Sequence, residues 1–255
     1  MSSPCHFHDW RIHHYADVSS TQDIIKTHLN EVAADGKARI AVQADVQSSG
    51  RGRHGREWVS PEGNLFATLA FRPARKLAEL GLYAYVTALA LYDAASHYDE
   101  SGAAQIALKW PNDLMVNDQK AAGILMEHYA HQGDDYLLIG LGVNLASAPT
   151  GKSVLSQCFG GIEIDRRDFL KTFLTAFDTW DQRLSSGGGA EIAAAWQSKA
   201  WRLDQTITAK LGDKHYSGLF DSIDDIGSMI IRLENGEKRR ITAGQLYFGD
   251  ETDDN

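Results

Sequence analysis

One short segment rich in glycine and arginine limits how this chain can fold. Residues 50–56 read Gly-Arg-Gly-Arg-His-Gly-Arg, and this glycine content disfavours the interior of a helix or a strand. The segment follows the strand-like residues 39–44 and precedes the apolar pair Trp58 and Val59. We therefore predict a loop that leaves a strand and returns to the body of the protein.

Hydrophobic periodicity divides most of the remaining chain into short strands and amphipathic helices. The predicted strands are residues 10–15, 39–44, 65–71, 106–110, 114–116, 120–127 and 136–144. The predicted helices are residues 21–30, 77–98, 165–184 and 192–200. Residues 205–248 hold only short β segments, with an Asn235-Gly236 hairpin signal, and we predict a small all-β domain there that packs on the first.

The composition excludes several classes of protein. With 25 Lys and Arg against 34 Asp and Glu, the chain has a net charge of −9, which argues against non-specific binding to nucleic acid or to an anionic membrane. The two cysteines, Cys5 and Cys158, are too few for a disulfide framework or a thiolate zinc site and favour the cytoplasm. No apolar run approaches the roughly 20 residues of a membrane span, and no signal peptide is evident at the start.

Two familiar patterns lack the features that their chemistry needs. Gly151-Lys152-Ser153 resembles the end of a P-loop, but Ala146 stands where the first glycine is required, and no helix pattern follows directly. Cys5, His6 and His8 could hold a stray ion, but a cluster so near a terminus cannot be assumed to be folded. We predict no ligand site at either place.

The loop at residues 50–56 remains the strongest candidate. Its glycines allow a tight turn around a ligand, and its arginines offer paired hydrogen bonds to phosphate or carboxylate. A solvated basic loop or an RNA-binding segment would also explain the arginines, but neither explains their place between a strand and an apolar return. Lys120 begins a strand whose next residues are small, so its ammonium group can reach the same cleft. We favour a clamp for an anionic small molecule.

Three motifs, in order, resemble those of the biotin protein ligase family. Residues 50–56 followed by Trp58 resemble its adenylate-binding loop, residues 109–114 its Lys-Trp-Pro-Asn-Asp signature, and residues 120–125 its Lys-x-x-Gly-Ile-Leu motif. Ser20-Thr21-Gln22 resembles the Ser-Thr-Asn element of the family, with Gln22 in place of the usual Asn. Residues 140–145 resemble its Gly-x-Gly-x-Asn strand.

The resemblance implies a fold of the α/β (α+β) class. A mixed β-sheet flanked by helices, like that of class II aminoacyl-tRNA synthetases and biotin ligases, would occupy residues 1–202. A small C-terminal SH3-like β-barrel would occupy residues 203–249, and an acidic tail residues 250–255.

The resemblance also implies a biotin-[acetyl-CoA-carboxylase] ligase. Such an enzyme uses ATP to attach biotin to a lysine of a biotin carboxyl carrier protein, through biotinyl-5′-AMP. Mg²⁺ is expected to bind with ATP and not through protein ligands alone. The implied partner is the carrier domain of acetyl-CoA carboxylase or a related carboxylase; neither DNA nor membrane is expected, and a homodimer is left open.

The resemblance and the chemistry of the side chains together give the candidate site residues. Lys120, Arg53 and Asp113 are the candidate catalytic residues, because attack of a carboxylate on a phosphate brings two anions together and calls for cations. The ureido ring of biotin presents one acceptor and two donors, which suit hydroxyl and amide side chains. The implied biotin contacts are Ser20, Thr21, Gln22, Gln47, Arg51, Gly52, Arg53, Lys120, Gly123, Gly140 and Gly142. The implied ATP or adenylate contacts are Arg51, Arg53, Arg56, Trp58, Asn112, Asp113, Lys120 and Asn144.

Two other functions are compatible with this pattern. A lipoate or octanoate ligase or transferase also acylates a carrier lysine, but its substrate has no ureido group for Ser20, Thr21 and Gln47 to bind. A non-catalytic biotin-binding adaptor would not need so many cations suited to phosphate. Both alternatives are therefore less favoured than the biotin ligase.

We expect ligase activity without repressor activity. Longer members of the family carry an N-terminal DNA-binding domain, whereas the Ser20-Thr21 element leaves no space before it for the roughly 60 residues of such a domain. In a gel-shift assay the chain should form no specific complex with the operator of a biotin gene. A specific complex would contradict this expectation.

Overall fold

The large sheet is built from the first eight strands of the chain. The computed structural model describes residues 4–33, 39–73, 80–211, 214–242 and 245–247. The strands are β1 (Cys5–Phe7), β2 (Trp10–Val18), β3 (Arg39–Gln47), β4 (Leu65–Phe71), β5 (Ile106–Lys109), β6 (Asp113–Val116), β7 (Gln119–His131) and β8 (Asp134–Val143). Their order is β1-β2-β3-β4-β8-β7-β6-β5. β2 and β3 run parallel, whereas the other neighbours are antiparallel, so the sheet is mixed as predicted.

Helices cover both faces of this sheet. They are α1 (Thr21–Ile24), a 3₁₀ segment (Ile25–His28), α2 (Leu29–Ala33), α3 (Leu82–Tyr98), α4 (Leu155–Cys158), α5 (Arg166–Ser185) and α6 (Gly189–Gln197). The larger core includes α3, α5 and α6, and within it Trp10, Phe71 and Phe177 meet edge to face. Ile25 and Leu29 pack on the opposite face of the sheet. None of the helices in the described ranges is long and apolar enough to cross a membrane.

The alternation of side chains along β8 determines where an open site can form. Residues 137, 139, 141 and 143 belong to the larger core, and residues 136 and 138 lie beneath the first helical segments. Gly140 and Gly142 continue the second set, because successive residues of a strand point to opposite faces. Gly142 pairs with Gly123 on β7. This part of the face therefore lacks side chains.

A smaller antiparallel sheet forms the C-terminal part. Its strands are β9 (Thr206–Leu211), β10 (Lys214–Ile223), β11 (Met229–Arg232), β12 (Lys238–Ile241) and β13 (Gln245–Tyr247), in the order β12-β11-β10-β9-β13. β11 and β12 form the predicted hairpin, with Gly236 at a φ of 83°. The Trp110 side chain donates to the carbonyl of Gly227 at 3.3 Å and links the two sheets. The SH3-like assignment and the domain bounds stay predictions, and residues 250–255 lie outside the described ranges.

The helix predicted at residues 21–30 is wrong as a single element. Ser20 caps its start, since its hydroxyl accepts from the backbone N–H of Gln22 at 3.3 Å. The helix then changes to a 3₁₀ turn at Ile25–His28 before α2 begins. The β-branched side chains of Ile24, Ile25 and Thr27 explain the irregularity, because they lower the preference for regular α-helix.

Two other helices differ from prediction at their ends. The helix expected from residue 77 begins at Leu82, and Leu77 lies outside the described residues. The last helix runs over Gly189–Gln197 instead of residues 192–200. The backbone after it turns to the sheet, where the N–H of Leu108 donates to the carbonyl of Lys199 at 2.8 Å. Pairing with a strand thus ends the helix earlier than its sequence pattern indicates.

The glycine–arginine segment is a loop, as predicted, and it closes on itself as a narrow hairpin. Arg51 and Glu57 form a β-bridge across it, and the N–H of Gly52 donates to the carbonyl of Arg56 at 2.7 Å. Gly55, at its tip, has a positive φ of 75° that favours glycine. The arginines are therefore presented on a closed hairpin.

Gly50 forms a tight contact at the base of this hairpin. Its carbonyl accepts from the N–H of Trp58 at 2.9 Å. A Cβ atom on Gly50 would lie 2.3 Å from the carbonyl oxygen of Trp58 and 2.6 Å from Oγ of Ser60. Because the first of these atoms belongs to the backbone, a larger residue would force the hairpin apart.

Gly50→Ala should therefore lower the free energy of unfolding by about 1–3 kcal/mol, the usual cost of overpacking. Gly52→Ala is the matched control in the same loop, since Gly52 has an extended backbone and its nearest neighbour would be 3.4 Å from the new Cβ. The control should change stability by less than about 0.5 kcal/mol. Urea denaturation measures the free energy of unfolding of both variants. The comparison holds when the slope of that free energy against urea concentration is the same for each variant as for the unaltered chain. Equal effects of the two substitutions would disprove the tight contact.

Candidate functional site

A cleft of about 1160 Å³ opens over the part of the sheet that lacks side chains. Its lining comes from the start of α1, the glycine–arginine loop, the ends of β5 and β6, and the middle of β7 and β8. It contains every site residue predicted from the sequence: Ser20, Thr21, Gln22, Gln47, Arg51, Gly52, Arg53, Arg56, Trp58, Asn112, Asp113, Lys120, Gly123, Gly140, Gly142 and Asn144.

One end of the cleft is a network of hydroxyl and amide groups. The backbone N–H and the hydroxyl of Thr21 both donate to Oε1 of Gln47, at 2.9 and 3.1 Å. The Gln47 amide in turn donates to Oγ of Ser60 at 3.0 Å. The Gln47 side chain, which leaves the end of β3, is therefore fixed at both of its polar atoms and ties α1 to the base of the loop.

Gln22 lies deeper in the same network. Its side-chain oxygen is 3.0 Å from the hydroxyl of Thr68 and would be 2.7 Å from a Cβ on Gly140. The longer amide, where the family usually has Asn, thus occupies space that the absent side chain of Gly140 leaves. Gln22 is 2% exposed, and its Nε2 has no hydrogen-bond partner among the described residues. A buried donor without a partner is costly, which favours a ligand acceptor at this position.

The other end of the cleft is cationic. Nζ of Lys120 lies 2.7 Å from Oδ1 of Asp113 and 5.3 Å from the centroid of the Trp58 ring. Asp113 begins β6 and Lys120 lies near the start of β7, so the short turn between these strands brings the two side chains together. This ion pair holds the ammonium group of Lys120 in the lining of the cleft.

Arg53 extends this cationic end from the loop. Its Nη1 donates to Oδ1 of Asn112 at 3.3 Å, and the Asn112 amide donates to the carbonyl of Ile124 at 2.7 Å. Burial lowers the pKa of Arg53, and the carboxylate of Asp113 raises it. Arginine stays protonated in proteins despite such a shift, so a partly desolvated positive charge faces the cleft.

The remaining predicted cations lie farther out. Arg51 donates to Asp23 on α1 at 2.7 Å, in an exposed ion pair. Arg56 is exposed at the rim of the cleft. Asn144, at the end of β8, is buried, and its backbone N–H donates to the carbonyl of Ala121 at 2.9 Å. The structure thus separates inner cations from outer ones.

The Trp58 side chain lies between the two ends of the cleft. A Cβ on Gly142 would meet its indole at 2.4 Å, and one on Gly123 would meet it at 3.0 Å. The indole therefore rests on the glycines of β7 and β8. Its Nε1 is buried without a hydrogen-bond partner among the described residues, so this donor also suits an incoming ligand.

The charge of the cleft is opposite to that of the chain. Within the described residues the lining holds six lysine and arginine side chains and three carboxylates: Arg51, Arg53, Arg56, Lys109, Lys120 and Lys152 against Glu57, Asp113 and Asp118. The excess is positive, in a chain of net charge −9. Such a concentration of one sign attracts anionic ligands.

Sequence reasoning missed several residues that shape the site. Thr68 is a single hydroxyl inside an apolar strand, and only the fold shows that it reaches Thr21, at 2.8 Å. Asn64 accepts from the backbone N–H groups of residues 145, 146 and 147 and so holds the turn after β8. Lys152, discounted with its P-loop-like pattern, lines the cleft because its backbone pairs with that of Lys120.

Comparison with known proteins agrees with this geometry. Residues 15–144 match the model of the biotin/lipoate A/B protein ligase family. A biotin–[acetyl-CoA-carboxylase] ligase of Paracoccus denitrificans is 39% identical over 217 residues, which cover 82% of this chain and 90% of that protein. These matches extend over the loop, both motif-bearing strands and the first helical segments.

Solved structures extend the similarity to both sheets. The biotin protein ligase from Aquifex aeolicus in complex with biotin and ATP aligns with a TM-score of 0.78 and 25% identity, over 92% of this chain and 97% of that chain. The biotin protein ligase from Leishmania major in complex with biotinyl-5-AMP aligns with a TM-score of 0.64 and 27% identity, over 91% and 98%. The chain belongs to the biotin/lipoate A/B protein ligase family, and within it to the biotin protein ligases.

Proposed function

We propose that this chain uses ATP to attach biotin to a lysine of a biotin carboxyl carrier domain, through biotinyl-5′-AMP. The main support for the proposal is that one cleft has a neutral polar end and a cationic end. Neutral donors and acceptors around Gln22 and Gln47 suit the ureido ring, and the cations around Lys120 suit a carboxylate and a phosphate. The Trp58 indole rests on the glycines between these ends and would give a flat bicyclic ligand an apolar surface to lie against.

In the first half-reaction an oxygen of the biotin carboxylate attacks the α-phosphorus of ATP. The bond from that phosphorus to the bridging oxygen of the β-phosphate breaks, and pyrophosphate leaves. Two anions must approach each other, and the ammonium group of Lys120 is placed to lower their repulsion in the transition state. Asp113 keeps that ammonium oriented, and Arg53 adds a second charge from the loop.

In the second half-reaction the amine of the carrier lysine attacks the acyl carbon of the mixed anhydride. The bond from that carbon to the phosphate oxygen breaks, AMP leaves, and the amine loses a proton. Lys120 and Arg53 would stabilise the charge that returns to the phosphate of AMP. Arg51, Arg56, Trp58, Asn112 and Asn144 would complete the contacts to ATP and the adenylate.

Mg²⁺ is the ion expected to enter with ATP. Asp113 fits a magnesium ion, because such ions in nucleotide sites take one or two carboxylates and otherwise phosphate oxygens and water. The amide oxygen of Asn112 already accepts from Arg53, whereas Asp113 pairs with Lys120 through Oδ1 and keeps its second carboxylate oxygen for the ion. When bound, the ion would neutralise part of the charge on the phosphates.

Biotin is a better match to this cleft than lipoate. The Nε2 of Gln22, which has no hydrogen-bond partner in the described part of the chain, would meet the ureido carbonyl, an acceptor that the dithiolane ring of lipoate lacks. A non-catalytic adaptor would not require the oriented pair of Lys120 and Asp113. Three further points stay predictions: a cytoplasmic location, a carrier domain as partner and the absence of DNA binding. A homodimer is left open.

Pyrophosphate exchange into ATP tests this function directly. The chain should catalyse exchange in the presence of biotin and show only background exchange with lipoate, because only biotin satisfies the Gln22 amide. Exchange with lipoate alone would favour the lipoate ligase. No exchange with either acid would favour the adaptor.

Gln22→Leu is the matched variant for the same assay. It keeps an aliphatic body of similar volume and removes the amide. We expect KM for biotin to rise at least about tenfold, equivalent to about 1.4 kcal/mol, with little change in KM for ATP. An unchanged KM for biotin would contradict the proposal that the Gln22 amide binds the ureido group.

A further inference from the structure

A second cluster of polar side chains lies outside the cleft, between β2 and the first helical segments. His13 lies on β2, His28 ends the 3₁₀ segment and Glu31 lies on α2. Nε2 of His13 is 3.1 Å from Oε2 of Glu31, and Nδ1 of His28 is 2.6 Å from Oε1. One ligand atom from each residue lies within 4.8 Å of the other two. None of the three lines the cleft.

These side chains are largely sheltered from water. The exposed fractions are 12% for His13, 14% for His28 and 29% for Glu31. The two imidazole rings stack at a centroid distance of 3.9 Å. The packing of the helical segments on β2 thus brings one ligand atom from each of the three residues close together.

His28 also has a partner on its other nitrogen. Its Nε2 is 2.8 Å from Oη of Tyr15. With its proton on Nε2, His28 would donate to this hydroxyl and present the Nδ1 lone pair to the cluster. A metal-bound histidine commonly uses its second nitrogen in this way, and the contact fixes both the orientation and the tautomer of the ring.

We propose that His13, His28 and Glu31 bind a divalent first-row transition metal ion of the zinc class. Two imidazole nitrogens and one carboxylate form a ligand set that zinc accepts, with water in the fourth position, whereas magnesium prefers oxygen ligands. Ligand atoms about 2.1 Å from one tetrahedral ion lie about 3.5 Å apart. In the structure these ligand atoms lie within 4.8 Å of one another, so side-chain rotation would have to bring them to that spacing when the ion binds.

Arg11 would compete with the ion for the carboxylate of Glu31, and this competition provides a specific test of the proposal. Its Nη1 lies 2.9 Å from Oε2 of Glu31, so the ion must share this carboxylate with a cation. Arg11 is 32% exposed and can turn to solvent when the ion binds. Its removal should therefore tighten metal binding, a result that an unrelated surface site would not give.

The sequence pattern indicates no ion held by protein ligands alone. The ligands escaped it because His13 is fifteen positions before His28 in the chain and lies on a different element. The bound ion would link β2 to the helical segment that begins at Ser20. Binding of the ion at this site does not depend on the proposed ligase reaction.

Cobalt titration of the full chain, without an affinity tag and after removal of metal by a chelator, tests the site. We expect one Co²⁺ per chain with the visible absorption of tetrahedral coordination, displacement by Zn²⁺, and a higher Tm with Zn²⁺. His13→Ala, His28→Ala and Glu31→Gln should each weaken binding at least about tenfold. Arg11→Ala should strengthen it.

Two controls make the result specific. His128→Ala removes a histidine that pairs with Asp135 at the exposed end of the sheet and should leave the affinity unchanged. A variant lacking His6 and His8 excludes a stray site near the terminus. Circular dichroism without metal confirms that each variant is folded. The proposal is overturned if no Co²⁺ binds, or if His13→Ala and His28→Ala bind it as tightly as the unaltered chain.

Discussion

The cleft exists because Gly123, Gly140 and Gly142 leave one part of a sheet face without side chains. Strand pairing places Gly123 beside Gly142, and the period of two along β8 puts Gly140 on the same face. Any side chain on Gly142 would collide with Trp58, and one on Gly140 with Gln22. The polar network, the indole and the cationic end all depend on this absence, since each packs at the border of the same space.

Although the chain is acidic overall, one hairpin and one turn concentrate positive charge at the cleft. The hairpin that starts at Gly50 carries arginines over the cleft, and the turn between β6 and β7 brings Lys120 to Asp113. The acidic remainder of the surface disfavours non-specific contacts with nucleic acid. The carboxylate of one ligand and the phosphates of another are therefore drawn to one region of the molecule, where partial burial strengthens the attraction.

The sequence predicts much of this arrangement because the relevant signals are local. Strand periods, the glycine–arginine loop and the Asn235-Gly236 turn each depend on neighbouring residues, and the structure contains all three. The long-range contacts were not predictable in this way. The hydrogen bonds of Thr68 to Thr21 and Gln22, and the meeting of His13 with Glu31, require the packed sheet and its helices. The 3₁₀ turn after α1, by contrast, reflects the low helix preference of Ile24, Ile25 and Thr27, which the helical spacing of the apolar residues conceals.

Lys120 is the group on which the approach of the two anions depends most. Rapid mixing of enzyme, biotin and ATP, with detection of biotinyl-5′-AMP in a single turnover, measures this directly. Lys120→Ala should slow formation of the adenylate by about 10²-fold or more. Lys171→Ala, which removes an exposed lysine paired with Asp168 on α5, should not change the rate. Adenylate formation by Lys120→Ala within about twofold of the unaltered enzyme would contradict the account.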